Sequence, residues 1–287
     1  MREESAEEQA LPEVQPTDEL PSILRGEGDT QNRFSSTVYV SLSALENCSG
    51  VLIHPRLVLT AAHCVCRGRE DKSATLLDSS TCEKTATVKT GVQPRDFPSY
   101  TGDVRPHRDF KVILRKKKLL LPPEAKVAHA LTDKGKRYVL VDVVEESKAD
   151  LAVIVLKRAM EPSVSPTPPA TTNIQLNESV IATGYGADNV ENGLVVFTDS
   201  QPTRRFGRNI VTKTGGELFT IEPPGALALP GDSGGPCFRE ESIGPVLVGI
   251  SSRTSPGRKS TFTSTYRYLP WLTEEIRRAD KLSPQSP

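Results

Sequence analysis

No stretch of this sequence is apolar over the ~20 residues that a membrane-spanning helix requires, so no helical membrane span is expected in it. The opening MREESAEEQA lacks the apolar centre of a signal peptide, so the chain reads either as cytosolic or as a product from which an export signal has been removed. Net charge is lacking as well. Lys plus Arg and Asp plus Glu each total 36, which gives no electrostatic reason to expect a nucleic acid or another polyanion as partner. No internal repeat is visible at the level of identity. Candidate metal ligands are scattered, and no metal or cofactor is expected.

What is present points to a soluble globular protein. Apolar residues make up 36% and charged residues 25% of 287 positions, enough for one large domain or two modest ones with real cores. Charge is unevenly placed. Residues 1–20 carry Glu3, Glu4, Glu7, Glu8, Glu13, Asp18 and Glu19 against Arg2 alone, with Pro12 and Pro16 among them. With so little apolar surface to bury, residues 1–22 read as an acidic disordered propeptide or tether.

Short β-rich runs dominate the remainder: STVYVSL, RLVLTAA, TATVKTGV, RYVLVDVV, DLAVIVL, SVIATGYG, GLVVFT, RNIVTKT, ELFTIE, GPVLVGIS and STFTSTYRY. Gly, Pro, Asn and Asp punctuate them, the pattern of an all-β sandwich or barrel. One clear helix is predicted at the end, in LPWLTEEIRRADK, where Pro270 suits a first turn and Trp271, Leu272 and Ile276 share a face. A second short helix is expected in PPEAKVAHALTDKG, residues 122–135. The proline-rich EPSVSPTPPATTN, residues 161–173, divides the chain into two β-rich halves, 23–165 and 166–287.

Three stretches carry chemistry. GALALPGDSGGPCF, residues 225–238, places Ser233 among Gly231, Gly234 and Gly235 with Asp232 directly before it. LVLTAAHCVC sets His63 at the end of an apolar strand, and KADLAVIVL sets Asp150 at the head of another. Taken singly, each has a plain reading: a surface turn, a packed strand-end histidine, a polar boundary residue. Together they supply what nucleophilic catalysis requires. A serine hydroxyl needs a base, and a neutral imidazole suits that near pH 7. The imidazole needs its other nitrogen held by a carboxylate. The backbone N–H groups of Gly231 and Ser233, if the glycine turn aims both inward, are candidates for an oxyanion hole.

TAAHC, DLAV and GDSGGP, in this order across two β-rich halves, resemble the chymotrypsin/trypsin-fold serine proteases. The resemblance spans about Ile23 to Ala279 and implies two six-stranded antiparallel β-barrels packed together, with a C-terminal helix. It implies His63 as general base and then acid, Asp150 as its orienting acid and Ser233 as nucleophile. It places Cys48 and Cys64 where a disulfide is expected, one that would close a loop of about 15 residues and stabilise by roughly 3 kcal/mol. Cys66–Cys82 is a further expected pair, leaving Cys237 as a small buried apolar residue. Disulfides in turn imply a secreted or periplasmic protein.

The family's activation chemistry maps onto Ile23 and Asp232: cutting after Ser22 would free an α-amino group to pair with the Asp232 carboxylate. Ser22 is not the basic residue usually found there. The floor of the primary specificity pocket falls on Leu227, which excludes the carboxylate that trypsin-like cleavage needs. Ser260 and Thr254 fall on its walls, implying a shallow pocket for small or medium uncharged side chains. The backbone from Ser252 to Thr254 is expected to pair with an extended peptide. Partners implied are a protein or peptide substrate and protease inhibitors, with the enzyme a monomer. The alternative is a protease-fold binding or scaffold protein with an obstructed groove. The 86 residues between His63 and Asp150 hold an insertion, in which Arg115 to Lys118 read as a solvated turn.

Overall fold

In the computed structural model, residues 23–43, 46–71, 74–94, 98–121, 130–191, 194–196 and 201–282 are described. The acidic arm, residues 1–22, lies outside them. Of the helix expected over 122–135, residues 122–129 also lie outside. Residues 131–133 form a strand rather than a helix, because they pair with the strand that follows across a turn at Lys134 and Gly135, both at positive φ.

The first barrel closes in the order β12-β4-β3-β2-β7-β8. Its strands are β2 (Thr37–Ser43), β3 (Glu46–His54), β4 (Leu57–Thr60), β7 (Thr85–Lys89), β8 (Ser99–Pro106) and β12 (Ala152–Leu156). Every side chain of LVLT in β4 and of AVIVL in β12 is buried. These two strands lack the usual alternation because one side faces the barrel core and the other is covered by neighbouring segments.

The second barrel uses β13 (Ser179–Gly184), β16 (Arg205–Gly215), β17 (Leu218–Ile221), β18 (Pro236–Glu241), β19 (Gly244–Ser255) and β20 (Lys259–Ser264). Their order is β16-β13-β18-β19-β20-β17, and pairing of β17 back to β16 closes the ring. The short β1 (Glu27–Gly28) adds to β16, and β14 (Asn189–Glu191) pairs with β15 (Leu194–Val196) as a separate hairpin. The all-β, two-barrel architecture expected from the sequence is thus the observed one.

The chain ends exchange sides. Ile23 and Leu24 precede the first barrel in sequence but belong to the second core. The helix α1 (Leu269–Asp280) follows the second barrel, yet its Leu272 and Ala279 join the first core. Pro270 lies in its first turn and Glu274 pairs with Arg277 and Arg278 on its exposed side, as i,i+3 and i,i+4 spacing allows.

A five-stranded sheet outside both barrels was not expected. It runs β10-β11-β9-β6-β5, built from β5 (Arg69–Asp71), β6 (Ala74–Asp78), β9 (Lys111–Leu120), β10 (Leu131–Asp133) and β11 (Lys136–Lys148). Arg115 to Lys118 are therefore strand, not a turn. Opposite charges come within reach along the face of this sheet: Arg115 with Glu145, Lys116 with Glu70 and Lys118 with Asp133.

Candidate active site

The end of β4 runs into a short 3-10 turn, Ala62–Cys64, that projects His63 while burying Ala62. Asp150 sits just ahead of β12, which pairs with β4, so the barrel itself brings the two side chains together. The Asp150 carboxylate accepts twice from His63: its Oδ1 from the backbone N–H at 2.9 Å and its Oδ2 from Nδ1–H at 2.7 Å. Because a carboxylate only accepts, this fixes the tautomer with Nε2 free of its proton. Ser252 Oγ donates to the same Oδ2 at 2.6 Å. Asp150 is 1% exposed. Burial alone would raise its pKa, but the His63 charge and the hydrogen bonds from His63 and Ser252 outweigh it and hold it below the ordinary value. For His63, burial pulls the pKa down, and the Asp150 charge and hydrogen bond more than reverse that, leaving it raised.

The Ser233 loop is tied to the first barrel by Ser49 of β3. Ser49 N–H donates to Ser233 O at 2.8 Å, and Ser49 Oγ donates to Gly231 O at 3.0 Å while accepting from Tyr185 N–H at 3.0 Å. Two glycines make this approach feasible. Gly234 has φ +79°, and a Cβ there would collide with Thr60 Oγ1 and Ser49 O, at the strand end that leads to His63. Gly231 has φ +97° and lies against Gly186. Only glycine meets both demands, of backbone sign and of space. Among the described residues, the N–H groups of Gly231 and Ser233 have no protein acceptor, and no hydrogen bond joins Ser233 Oγ to His63 Nε2.

Asp232 is buried beneath this loop. Its carboxylate accepts from Gly186 N–H at 2.7 Å and Leu229 N–H at 2.8 Å. Burial raises its pKa to about 7, against the pull of those two donors and of Arg205. Ile23 is not among its partners in this uncut chain. Ile23 packs near Gly207 at φ +42°, and the next residue, Leu24, bridges Leu227.

Leu227 is fully buried, with its N–H donating to Leu24 O at 3.0 Å. Thr254 Oγ1 donates to Ala228 O at 2.7 Å, and Ser260 Oγ accepts from Ala228 N–H at 2.8 Å. The three residues expected to line the specificity pocket are thus brought together, and two of their hydroxyls are stitched to the same backbone unit between them. A cavity of about 450 Å³ is lined by Arg105, His107, Trp271 and Glu275 among others, and by none of these three.

Both expected disulfides are present, Cys48–Cys64 and Cys66–Cys82, and Cys237 is free and buried. Cys48, His63 and Cys64 lie within 4.8 Å of one another, but the two sulfurs are consumed in a disulfide and offer no thiolate to a metal. Ser252 was expected to border a peptide through its backbone; its hydroxyl, which that reading left without a role, braces Asp150. The tie made by Ser49 had no signal in the sequence, since a serine inside NCSGVLIH reads as one more strand residue.

Comparison with known proteins agrees with this geometry. The trypsin-like peptidase domain family matches residues 48–250. Among solved structures, mouse neuropsin, described as a serine protease expressed in the limbic system of the brain, shares 17% identity with a TM-score of 0.55, covering 88% of this chain and 98% of its own. At that identity the likeness concerns the fold. No curated protein matches.

Proposed function

The chain belongs to the trypsin-like peptidase family, and from that premise we propose that it is a serine endopeptidase acting through Ser233, His63 and Asp150. One observation carries the reading: a buried carboxylate holds His63 by both its backbone N–H and its Nδ1–H, on the strand end against which the Ser233 loop is packed. In the reaction, His63 Nε2 takes the Ser233 Oγ proton as Oγ attacks the substrate carbonyl. The N–H groups of Gly231 and Ser233, without other acceptors, receive the developing oxyanion. His63 then returns the proton to the leaving amine. Water attacks the acyl-enzyme by the same path and restores Ser233.

Leu227 and the Thr254 and Ser260 hydroxyls favour small uncharged side chains before the cut. Export to an oxidising compartment is supported by two disulfides. Cleavage after Ser22 as an activating step is supported by Asp232, a buried carboxylate whose hydrogen-bond partners among the described residues are two backbone donors and which would gain from an α-ammonium group. A specific observation favours the second reading, a binding or scaffold protein: the Thr254 hydroxyl is bonded to Ala228 O where the specificity pocket is expected to open.

Labelling by a serine-reactive fluorophosphonate separates the two. The whole chain and a form beginning at Ile23 are compared, with Ser233→Ala as control. Labelling that depends on Ser233, in either form, supports the peptidase. Labelling of neither form by well-folded protein favours the scaffold.

A further inference from the structure

Asp150 is reached through an unusual backbone. Ala149 has φ +48°, a left-handed conformation that a residue with a Cβ adopts only when its surroundings hold it there. Leu151 N–H donates back to Ala149 O at 2.7 Å, closing a three-residue turn with Asp150 at its centre. The Ala149 N–H has left the strand ladder and needs an acceptor elsewhere.

That acceptor comes from the other barrel. Glu217 Oε1 takes the Ala149 N–H at 2.9 Å. Glu217 lies in the turn joining β16 to β17, just after Gly216 at φ +58°. Its own backbone oxygen accepts from Ser264 N–H at 2.8 Å, and its second carboxylate oxygen accepts from the Tyr268 hydroxyl. On the far side of Asp150, His107 N–H donates to Leu151 O at 2.8 Å, and the His107 ring meets Tyr268 edge-on at 5.0 Å. The turn bearing Asp150 is therefore clamped at both ends, and at its first end by a charged side chain from outside its own barrel.

We infer that Glu217 is a positioning residue for the Asp150–His63 pair: its carboxylate, oriented by Tyr268, fixes Ala149 and so aims Asp150 at His63. The inference rests on the triad reading above. Misplacing a catalytic group by about 1 Å can cost about a hundredfold in rate, without requiring loss of the fold. Glu217→Gln keeps an acceptor for Ala149 and conserves shape, whereas Glu217→Ala removes it.

Two readouts, each taken on the full chain and on the form beginning at Ile23, test this. One is the rate of Ser233 labelling by a fluorophosphonate. The other is the far-downfield proton resonance of the His63 Nδ1–H bonded to Asp150, which needs no turnover. Glu217→Ala is expected to lose or broaden the resonance and slow labelling at least tenfold, Tyr268→Phe to do so to a smaller degree, and Glu217→Gln to retain most of both. A folded Glu217→Ala protein with an unchanged resonance and unchanged labelling overturns the inference. Should Glu217→Ala not fold, Tyr268→Phe decides, and an unchanged resonance there overturns it equally. A wild-type protein that labels in neither form, but whose resonance responds to Glu217, counts against the peptidase reading and leaves the positioning role standing.

Discussion

His63 and Asp232 are each surrounded by groups that set their titration, and the two move for different reasons. His63 acts as a base only while neutral. Its pKa is raised because the Asp150 charge overrides burial, so the acid limb of the labelling rate is expected above pH 6.5, with reactivity lost as pH falls through it. Asp150→Asn removes that charge and should shift the limb downward and reduce the plateau by several orders of magnitude. For Asp232 the raised pKa, about 7 against 3.8, means that the folded state holds the proton more tightly than the unfolded one. Its contribution is full below about pH 4 and is lost as pH rises towards 7. Asp232→Asn in the uncut chain, which has no carboxylate to ionise, should therefore lose less stability than wild type as pH rises across that window, in urea unfolding followed at stepped pH. In the form beginning at Ile23, an ammonium group beside Asp232 would hold the carboxylate ionised, and the advantage of Asn should disappear.

Among the elements, β19 and β20 carry Thr254 and Ser260, the two hydroxyl residues proposed to wall the specificity pocket. Thr254 Oγ1 reaches Ala228 O at 2.7 Å; a glycine at this position has neither the methyl nor the hydroxyl that narrows the space. Thr254→Gly should open the pocket and raise the ratio of kcat/KM for phenylalanyl over alanyl ester substrates about tenfold or more, the discrimination a few methylene-sized contacts supply. An unchanged ratio would mean that the pocket is not where the side chain before the cut resides. At this scale the sequence was legible in many of the barrel strands, though not in β8 or β18. TVYVSLS, LVLT and AVIVL each match an observed strand because burial demands β-branched and aliphatic residues there. It was less legible in the inserted sheet, where β9 carries Arg115 to Lys118 in succession and is exposed from Arg115 onward. With no buried face, a strand loses its alternation, and the ion pairs it makes, with residues 30 or more positions away, are not visible in local pattern. The same holds for the site. TAAHC, DLAV and GDSGGP announce their residues through local constraint, whereas Glu217 sits in a short turn whose sequence, TGGEL, signals only a hairpin.

Across the whole molecule, one buried guanidinium joins parts that are distant in the chain. Arg204, fully buried at the start of β16, bonds Asp29 Oδ2 through Nε at 2.8 Å and reaches Asn32, Thr37 O and the Tyr185 hydroxyl. Asp29 in turn accepts from the N–H groups of Arg33 at 2.8 Å and Phe34 at 3.0 Å. The pair thus pins the segment that follows Ile23 to both barrels at once. Burying two charges is costly, and a buried ion pair is seldom a net gain over well-packed apolar side chains, but removing one partner strands the other. Arg204→Met should accordingly lower unfolding stability by about 3–5 kcal/mol, read as a shift in the urea midpoint. The double change Asp29→Leu with Arg204→Met should recover much of that loss. Recovery would show that the pair exists to set the path of the N-terminal segment rather than to add stability. If instead the double variant is as unstable as the single one, the backbone donors of Arg33 and Phe34 and the acceptors around Arg204 require their charged partners, and the junction is itself a source of the stability holding the barrels together.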